Sequence, residues 1–120
     1  IDTVWAALAD FQAVHTKLAR GFVVASEPEE GGAVRAITFA NGMTVREPIV
    51  TIDDQARRVA YTAEGGRARH YAASMQVMDG EGGGSVLAWV VDLLPDEIAP
   101  AIRTMMDLGA QAIHARFSAC

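Results

Sequence analysis

Cysteine is nearly absent from this 120-residue chain: the one example, Cys120, is the last residue. An intrachain disulfide framework is therefore excluded, and so is a zinc site built on several thiolates. Lysine is as scarce, with Lys17 the sole example among ten cationic residues. Cationic residues are outnumbered by 15 acidic ones, for a formal charge of −5. Phosphate-binding surfaces need a basic excess, so a nucleic-acid partner is not expected. No apolar run approaches the ~18 residues of a membrane span. No signal peptide is recognised ahead of the first helical pattern, and a cytoplasmic location is expected. The three histidines, His15, His70 and His114, stand on separate segments with no ligand spacing, so no metal site is expected, and nothing points to a cofactor. Gly82-Gly83-Gly84 lacks the Lys-Ser/Thr of a phosphate loop and reads as a hairpin tip.

What the chain does have is 51% hydrophobic residues against 21% charged ones. That is enough for the core of one domain covering residues 1–120. Asp2 can cap a first helix over residues 3–11, in which Val4, Trp5, Leu8 and Phe11 share a face. A second short helix fits residues 13–19, with Val14 and Leu18 four apart on one face and Gly21 ending it. Six short β-rich runs follow, at 22–28, 33–40, 44–52, 57–64, 68–78 and 85–94. Turn signals separate them at 29–32, 41–43, 53–56, 64–67 and 79–84. Connections this short suit antiparallel hairpins, so a six-stranded meander is expected. A helix of about 20 residues closes the chain, starting near Asp96 or Ala99 because Pro100 is tolerated only in a first turn. Ile98, Ile102, Met105, Met106, Gly109, Ile113 and Phe117 make its apolar stripe, which can lie across the concave side of a twisted sheet.

Alternation along the strands selects an inward face. The inward residues are Arg35, Ile37 and Phe39; Val45, Glu47 and Ile49; Val59, Tyr61 and Ala63; Tyr71, Ala73, Met75 and Val77; and Leu87, Trp89, Val91 and Leu93. A bulged turn at Asn41-Gly42-Met43 keeps the first two sets on one face by pairing Phe39 with Val45 and Ile37 with Glu47. That register makes Arg35 and Glu47 diagonal neighbours in a partly buried ion pair. A bulge near Pro48 accounts for Val50 and Ile52 falling out of phase with Ile49. The opposite face carries Ala60, Ala72, Ala88, Val86 and Val90, which is apolar for a solvent face and points to a homodimer contact.

The order of elements, two short helices, a hairpin meander and a long C-terminal helix, resembles the helix-grip fold of the START/SRPBCC superfamily. Local sequence is similar to its bacterial polyketide cyclase/dehydrase-type branch. The matching pieces are Val4-Trp5-Ala6-Ala7-Leu8-Ala9-Asp10-Phe11, Gly32-Ala33-Val34-Arg35, Val45-Arg46-Glu47, Asp53-Asp54 leading through Arg57-Arg58 to Tyr61, and Trp89 with Pro95. The resemblance covers essentially the whole chain. It implies an α+β fold: a curved antiparallel sheet wrapped around the C-terminal helix, with a cavity between them for a hydrophobic small molecule such as a polyketide, lipid or quinone. It also implies a first strand ahead of the first helix, for which this sequence shows no counterpart. The strand around Trp89 is then expected to be an unpaired edge, open to another chain.

Within that cavity, Arg35, Phe39, Glu47, Tyr61, Tyr71, Met75, Trp89, Ile102, Met105 and Met106 are the expected ligand-binding residues. Glu47, placed among Ile37, Val45 and Ile49, is either a general acid or base with a raised pKa or the structural partner of Arg35. Tyr61 and Tyr71 are the accompanying catalytic candidates; a phenol can orient a carbonyl or simply fill a core. Trp89, Met75, Met105 and Met106 read as an adaptable apolar wall or as ordinary packing. Three functions are therefore carried forward: a binder of a small hydrophobic molecule, a cyclase/dehydratase-like enzyme, and an interaction module using the convex face or the open edge. A fold shared by enzymes and binders does not choose among them.

Overall fold

The β-rich runs form one six-stranded sheet in the computed structural model of the protein, which describes residues 2–64, 69–80, 82 and 84–118. The strands are β1 (Val23–Glu29), β2 (Val34–Phe39), β3 (Thr44–Asp53), β4 (Arg58–Thr62), β5 (His70–Asp79) and β6 (Ser85–Leu94). They lie in chain order, and every neighbouring pair is antiparallel. Residues 65–67 of the expected hairpin tip at 64–67, and residues 81 and 83 of the one at 79–84, fall outside the described residues. Among the described residues, β6 pairs only with β5, which leaves its other side as a sheet edge.

The N-terminal segment is helical in three pieces. Helix α1 (Asp2–Ala9) is followed by a 3₁₀ turn (Phe11–Ala13) and a π-helical turn (Val14–Leu18). The expected α-helix over 13–19 is thus wound wider: the Ala19 amide donates to the Val14 carbonyl at 2.8 Å, a five-residue step. The wider turn buries Val14, Leu18 and Ala19 together in the main core beside Phe11 and Val23.

The β2–β3 turn corrects the expected register. Thr38 faces Thr44, Ile37 faces Val45 and Arg35 faces Glu47. The connection is a three-residue turn: the Gly42 amide donates to the Phe39 carbonyl at 2.9 Å and the Phe39 amide to the Met43 carbonyl at 2.8 Å. Gly42 has φ +88°, the left-handed conformation that this turn demands of its last residue. The Asn41 side-chain oxygen accepts from the Met43 amide at 2.9 Å and holds the turn from within. Inward and outward faces stay as alternation assigns them, but the strands slide by two residues. Arg35 and Glu47 therefore face each other directly and are not diagonal.

On β3 the pairing with β4 shifts between Ile49 and Thr51, so the extra residue is Val50, slightly beyond the position expected near Pro48. The bulge lets both Ile49 and Ile52 align with inward residues of β4, Tyr61 and Val59. Further along the sheet Tyr61 faces Ala73, Met75 faces Trp89 and Val77 faces Leu87. On the convex side Val86 and Val90 are 48% and 54% exposed, whereas Ala60, expected on that surface, is buried. Ala60 sits mid-sheet between Thr51 and Ser74, and its single methyl lies below its larger neighbours.

A 3₁₀ turn (Asp96–Ile98) leads into α2 (Ala99–Ser118). Pro100 is the second residue of α2, where its missing N–H leaves no helix bond unmade. The apolar stripe of α2 is not uniformly buried. Gly109 and Ile113 are buried, whereas Ile102, Met105, Met106 and Phe117 are only half-buried.

Candidate functional site: a cavity beneath the C-terminal helix

The floor of the space under α2 is built by β2, β3 and β4. Arg35 and Glu47, at 5% and 4% exposure, are the two buried charged residues of the described chain. Arg35 Nε donates to Glu47 Oε1 at 2.7 Å, and Arg35 Nη1 donates to the Phe11 carbonyl at 2.9 Å. The guanidinium carbon lies 3.8 Å from the Phe11 ring centre and 4.9 Å from that of Tyr61. The two rings meet edge to face at 6.0 Å. The 3₁₀ turn after α1 thus places both a carbonyl and an aromatic face on one guanidinium, and the expected partly buried pair is a fully buried one. Burial raises the Glu47 carboxyl above the ordinary carboxylate range, and the Arg35 guanidinium pulls it back.

Tyr61 and Tyr71 stand on neighbouring strands beside this pair. Burial pushes both phenols above their ordinary value, and the negative charge of Glu47 adds to the effect in each. Both hydroxyls are therefore neutral and able to donate. Met75 and Trp89 continue the wall on β5 and β6. Trp89 Nε1 is buried with no hydrogen-bond partner, close enough to the Tyr61 hydroxyl to favour its ionised form slightly.

The roof is the first half of α2. At Gly109 the helix backbone rests on aromatic rings: a Cβ there would come within 2.9 Å of Trp89 Cζ3 and 3.0 Å of Phe22 Cε2. Absence of a side chain at 109 lets the helix approach this closely. The space between floor and roof has a volume of about 50 Å³. Ligand pockets for drug-sized molecules run to ~300–1,000 Å³, so in this conformation there is room for a few waters only. Beyond Trp89 and Ile113, which border both spaces, lies a larger open groove of about 1120 Å³. It runs between the start of α1, β6 and the second half of α2.

All ten residues expected to bind a ligand line this cavity: Arg35, Phe39, Glu47, Tyr61 and Tyr71 from β2 to β5, and Met75, Trp89, Ile102, Met105 and Met106 from the far wall and roof. Strand parity and the helical stripe are enough to bring them together. Sequence reading missed the side supplied by Val14, Leu18, Ala19 and Phe22. The four-residue spacing of Val14 and Leu18 marked a shared face, but not that the face looks into the cavity. Among the described residues no group of three or more His, Cys, Asp or Glu could hold a metal ion. No helix of the described chain is long and apolar enough to cross a membrane.

Comparison with known proteins agrees with this architecture. A protein from Bacillus thuringiensis without an assigned function superposes with a TM-score of 0.85 at 22% identity, covering 98% of this chain and 90% of its own. The protein XoxI from Bacillus cereus gives 0.83 at 22% identity, covering 95% and 84%. Major latex-like protein 151 from Panax ginseng gives 0.67 at 15% identity, covering 96% and 90%. At these identities the likeness is one of fold. No curated protein matches the chain. The profile of one family, described as polyketide cyclase / dehydrase and lipid transport, matches residues 1–118. With nearly the whole length matched and a helix-grip fold in place, the chain belongs to that polyketide cyclase/dehydrase and lipid transport family.

Proposed function

We infer that the protein binds a small, mostly apolar molecule in the space between the sheet and α2. The observation that carries this reading is the makeup of the cavity wall. It is apolar except for phenols, an indole N–H and one ion pair whose charges cancel against each other. Such a wall rewards burial of apolar surface, at ~25 cal/mol per Å², and leaves a few polar groups to set orientation. The volume of about 50 Å³ means that a ligand enters by displacing the half-buried side chains of the roof, Ile102, Met105 and Met106. Methionine side chains repack for this more readily than branched ones. Family membership supports the same ligand class, polyketide or lipid. Native mass spectrometry of protein purified from its own host tests the reading. A retained small molecule, released on unfolding, is the expected result. Protein that comes through unliganded and also fails to take up an apolar fluorescent dye overturns it.

The raised carboxyl of Glu47 favours a second reading, a cyclase/dehydratase in which Glu47 moves a proton and Tyr61 or Tyr71 steadies a developing enolate. The bond from Arg35 to Glu47 Oε1 weighs against it, because it stabilises the carboxylate and weakens it as a base. Turnover of a polyketone substrate that is abolished in Glu47→Gln, with binding retained, would establish the enzyme.

A further inference from the structure

The space between the sheet and α2 holds about 50 Å³, against the ~300–1,000 Å³ of ligand pockets. Rotamer changes in the roof move side chains only, so a gap this wide calls for a stretch of backbone to retreat as well. The walls differ in what holds them. The floor is fixed by the ladders on both sides of β3 and by the buried bonds of Arg35. The roof belongs to α2, a helix of 20 residues that moves only as a whole element. The side wall is the π-helical turn Val14–Leu18, and its Val14 and Leu18 line the cavity together with Ala19.

This turn is pinned to the sheet at its two ends and not between them. Ahead of it, the Phe11 carbonyl accepts from Arg35 Nη1 at 2.9 Å, and Gln12 Nε2 donates to the carbonyls of Gly32 and Val34 at 3.1 Å each. Behind it, the Ala19 carbonyl accepts from the amides of Phe22 and Val23 at 3.1 and 3.0 Å. Between these pins the bonds are internal: the Ala19 amide donates to the Val14 carbonyl at 2.8 Å, and Thr16 Oγ1 to the Ala13 carbonyl at 3.3 Å. Lys17 reaches only Asp10, at 2.6 Å on the surface. Among the described residues no hydrogen bond joins residues 14–18 to the sheet or to α2. Val14 and Leu18 therefore hold the turn to the core by apolar packing alone. His15 Nδ1 is buried there without a partner, so uncovering it breaks no bond and lets it reach water. The flanking residues already depart from helical geometry, Ala13 at φ −101°, ψ 23° and Ala19 at φ −113°, ψ 47°.

We propose that the π-helical turn is the wall that gives way: the bond from the Ala19 amide to the Val14 carbonyl opens, the turn swings outward about Ala13 and Ala19, and the space vacated by Val14 and Leu18 becomes part of the ligand site. A molecule too large for the closed space binds the open form alone, and that difference in affinity drives the change. The core surface uncovered when Val14 and Leu18 leave is covered again by the incoming apolar body. The proposal rests on the binding reading above and adds the conformational step that admits the ligand.

Hydrogen exchange followed amide by amide on the ¹⁵N-labelled protein tests it, with 2-naphthalenemethanol as a neutral, largely apolar probe. With the probe bound, the Ala19 amide is expected to exchange at least about tenfold faster than in the free protein, while the amides of residues 104–109 in α2 are not accelerated. A second arm uses the double variant Thr16→Gly, Lys17→Gly. Both positions are exposed and neither lines the cavity, so the change loosens the turn and leaves the site's own side chains in place. Stopped-flow mixing should show the probe entering this variant roughly fivefold faster, because the open form is more populated. An Ala19 amide no less protected with the probe bound, or a glycine variant that admits the probe no faster, overturns the proposal and leaves the binding reading intact. A probe that does not bind the unsubstituted protein overturns both.

Discussion

The cavity has a finished end and an unfinished one. At its floor Arg35 is bonded to Glu47 and to the Phe11 carbonyl and packed against the Phe11 and Tyr61 rings, and these four residues are buried. At its roof Ile102, Met105 and Met106 are half-exposed, and the Trp89 N–H beneath them makes no close hydrogen bond. Both ends are built from inward residues of the same sheet and the facing helix. Their difference shows where the fold has used its interactions on itself and where it has kept them for something else. The floor is a structural closure that happens to be polar, and the roof is the part with room to respond.

The comparison breaks most visibly at the floor. Arg35→Met removes the partner of a carboxylate at 4% exposure, and a stranded buried charge costs about 3–5 kcal/mol. The double variant Arg35→Met, Glu47→Leu is expected to lose less than the single one, as read from urea unfolding midpoints. If the double variant loses the sum of the two single losses, the pair is not coupled and the floor is not one unit. The same variants sharpen the pH response. Burial raises Glu47, so the folded protein holds this proton more tightly than the unfolded chain does. Its contribution to stability is thus fully present below the unfolded carboxyl pKa and is lost as pH rises through the raised folded value. In Arg35→Met the opposing guanidinium is gone, and the loss should extend to higher pH. A carboxyl-resolved NMR titration of Glu47 in both proteins measures it directly.

A smaller loss is expected where the finished end reaches α2. Ile113 is 5% exposed and belongs to the main core. Ile113→Ala should cost about 2–4 kcal/mol, the range for a buried aliphatic truncated to alanine. Thermal unfolding followed by circular dichroism measures this, and a loss below about 1 kcal/mol would mean that neighbouring side chains collapse into the space.

How much of this could be read beforehand follows from what periodicity can and cannot specify. Alternation placed Arg35, Ile37, Phe39, Val45, Glu47 and Ile49 on one face, and they share it. Alternation is blind to a slide of two residues, which preserves every face. The slide was decided by Gly42 at φ +88° and by the Asn41 side chain on the Met43 amide, so the ion pair was foreseen as a diagonal and is a direct contact. The spacing of Val14 and Leu18 fits an α-turn as well as the π-turn that forms, and backbone hydrogen bonding alone separates the two. Gly109 stands inside the apolar stripe, where a glycine fits either a close approach or a bend, and the structure shows the close approach. The lack of a close hydrogen bond at the Trp89 nitrogen was not legible, since it depends on how one indole is turned against that glycine.

Gly109 is where the two ends of the cavity meet. Gly109→Ala adds a carbon within 2.9 Å of Trp89 Cζ3 and 3.0 Å of Phe22 Cε2, so a ring or the helix must shift. Overpacking of this kind costs about 1–3 kcal/mol. Better helix propensity returns up to about 1 kcal/mol. A net loss of about 1 kcal/mol is expected, with a change in Trp89 fluorescence as the indole is displaced. A stabilised variant with unchanged fluorescence would show that the rings give way freely and that the contact does not set the height of the roof.

The smallest effect should come from the roof itself, and its smallness is informative. Met105 is on the same stripe as Ile113, about two turns nearer the start of α2, but it is half-buried and borders a void of about 50 Å³. Truncation there creates little new cavity, because part of the space is already empty. Alanine also has slightly better helix propensity than methionine. Met105→Ala is therefore expected to cost less than about 1 kcal/mol, against about 2–4 kcal/mol for Ile113→Ala. Its consequence should lie in binding: a shorter side chain in the roof leaves more room, so bulkier apolar probes should gain affinity relative to slim ones. Chemical unfolding and probe titration on the one variant test both halves of the expectation. A stability loss as large as that of Ile113→Ala would show that the roof is as tightly packed as the floor, and the distinction between the two ends of the cavity would fall.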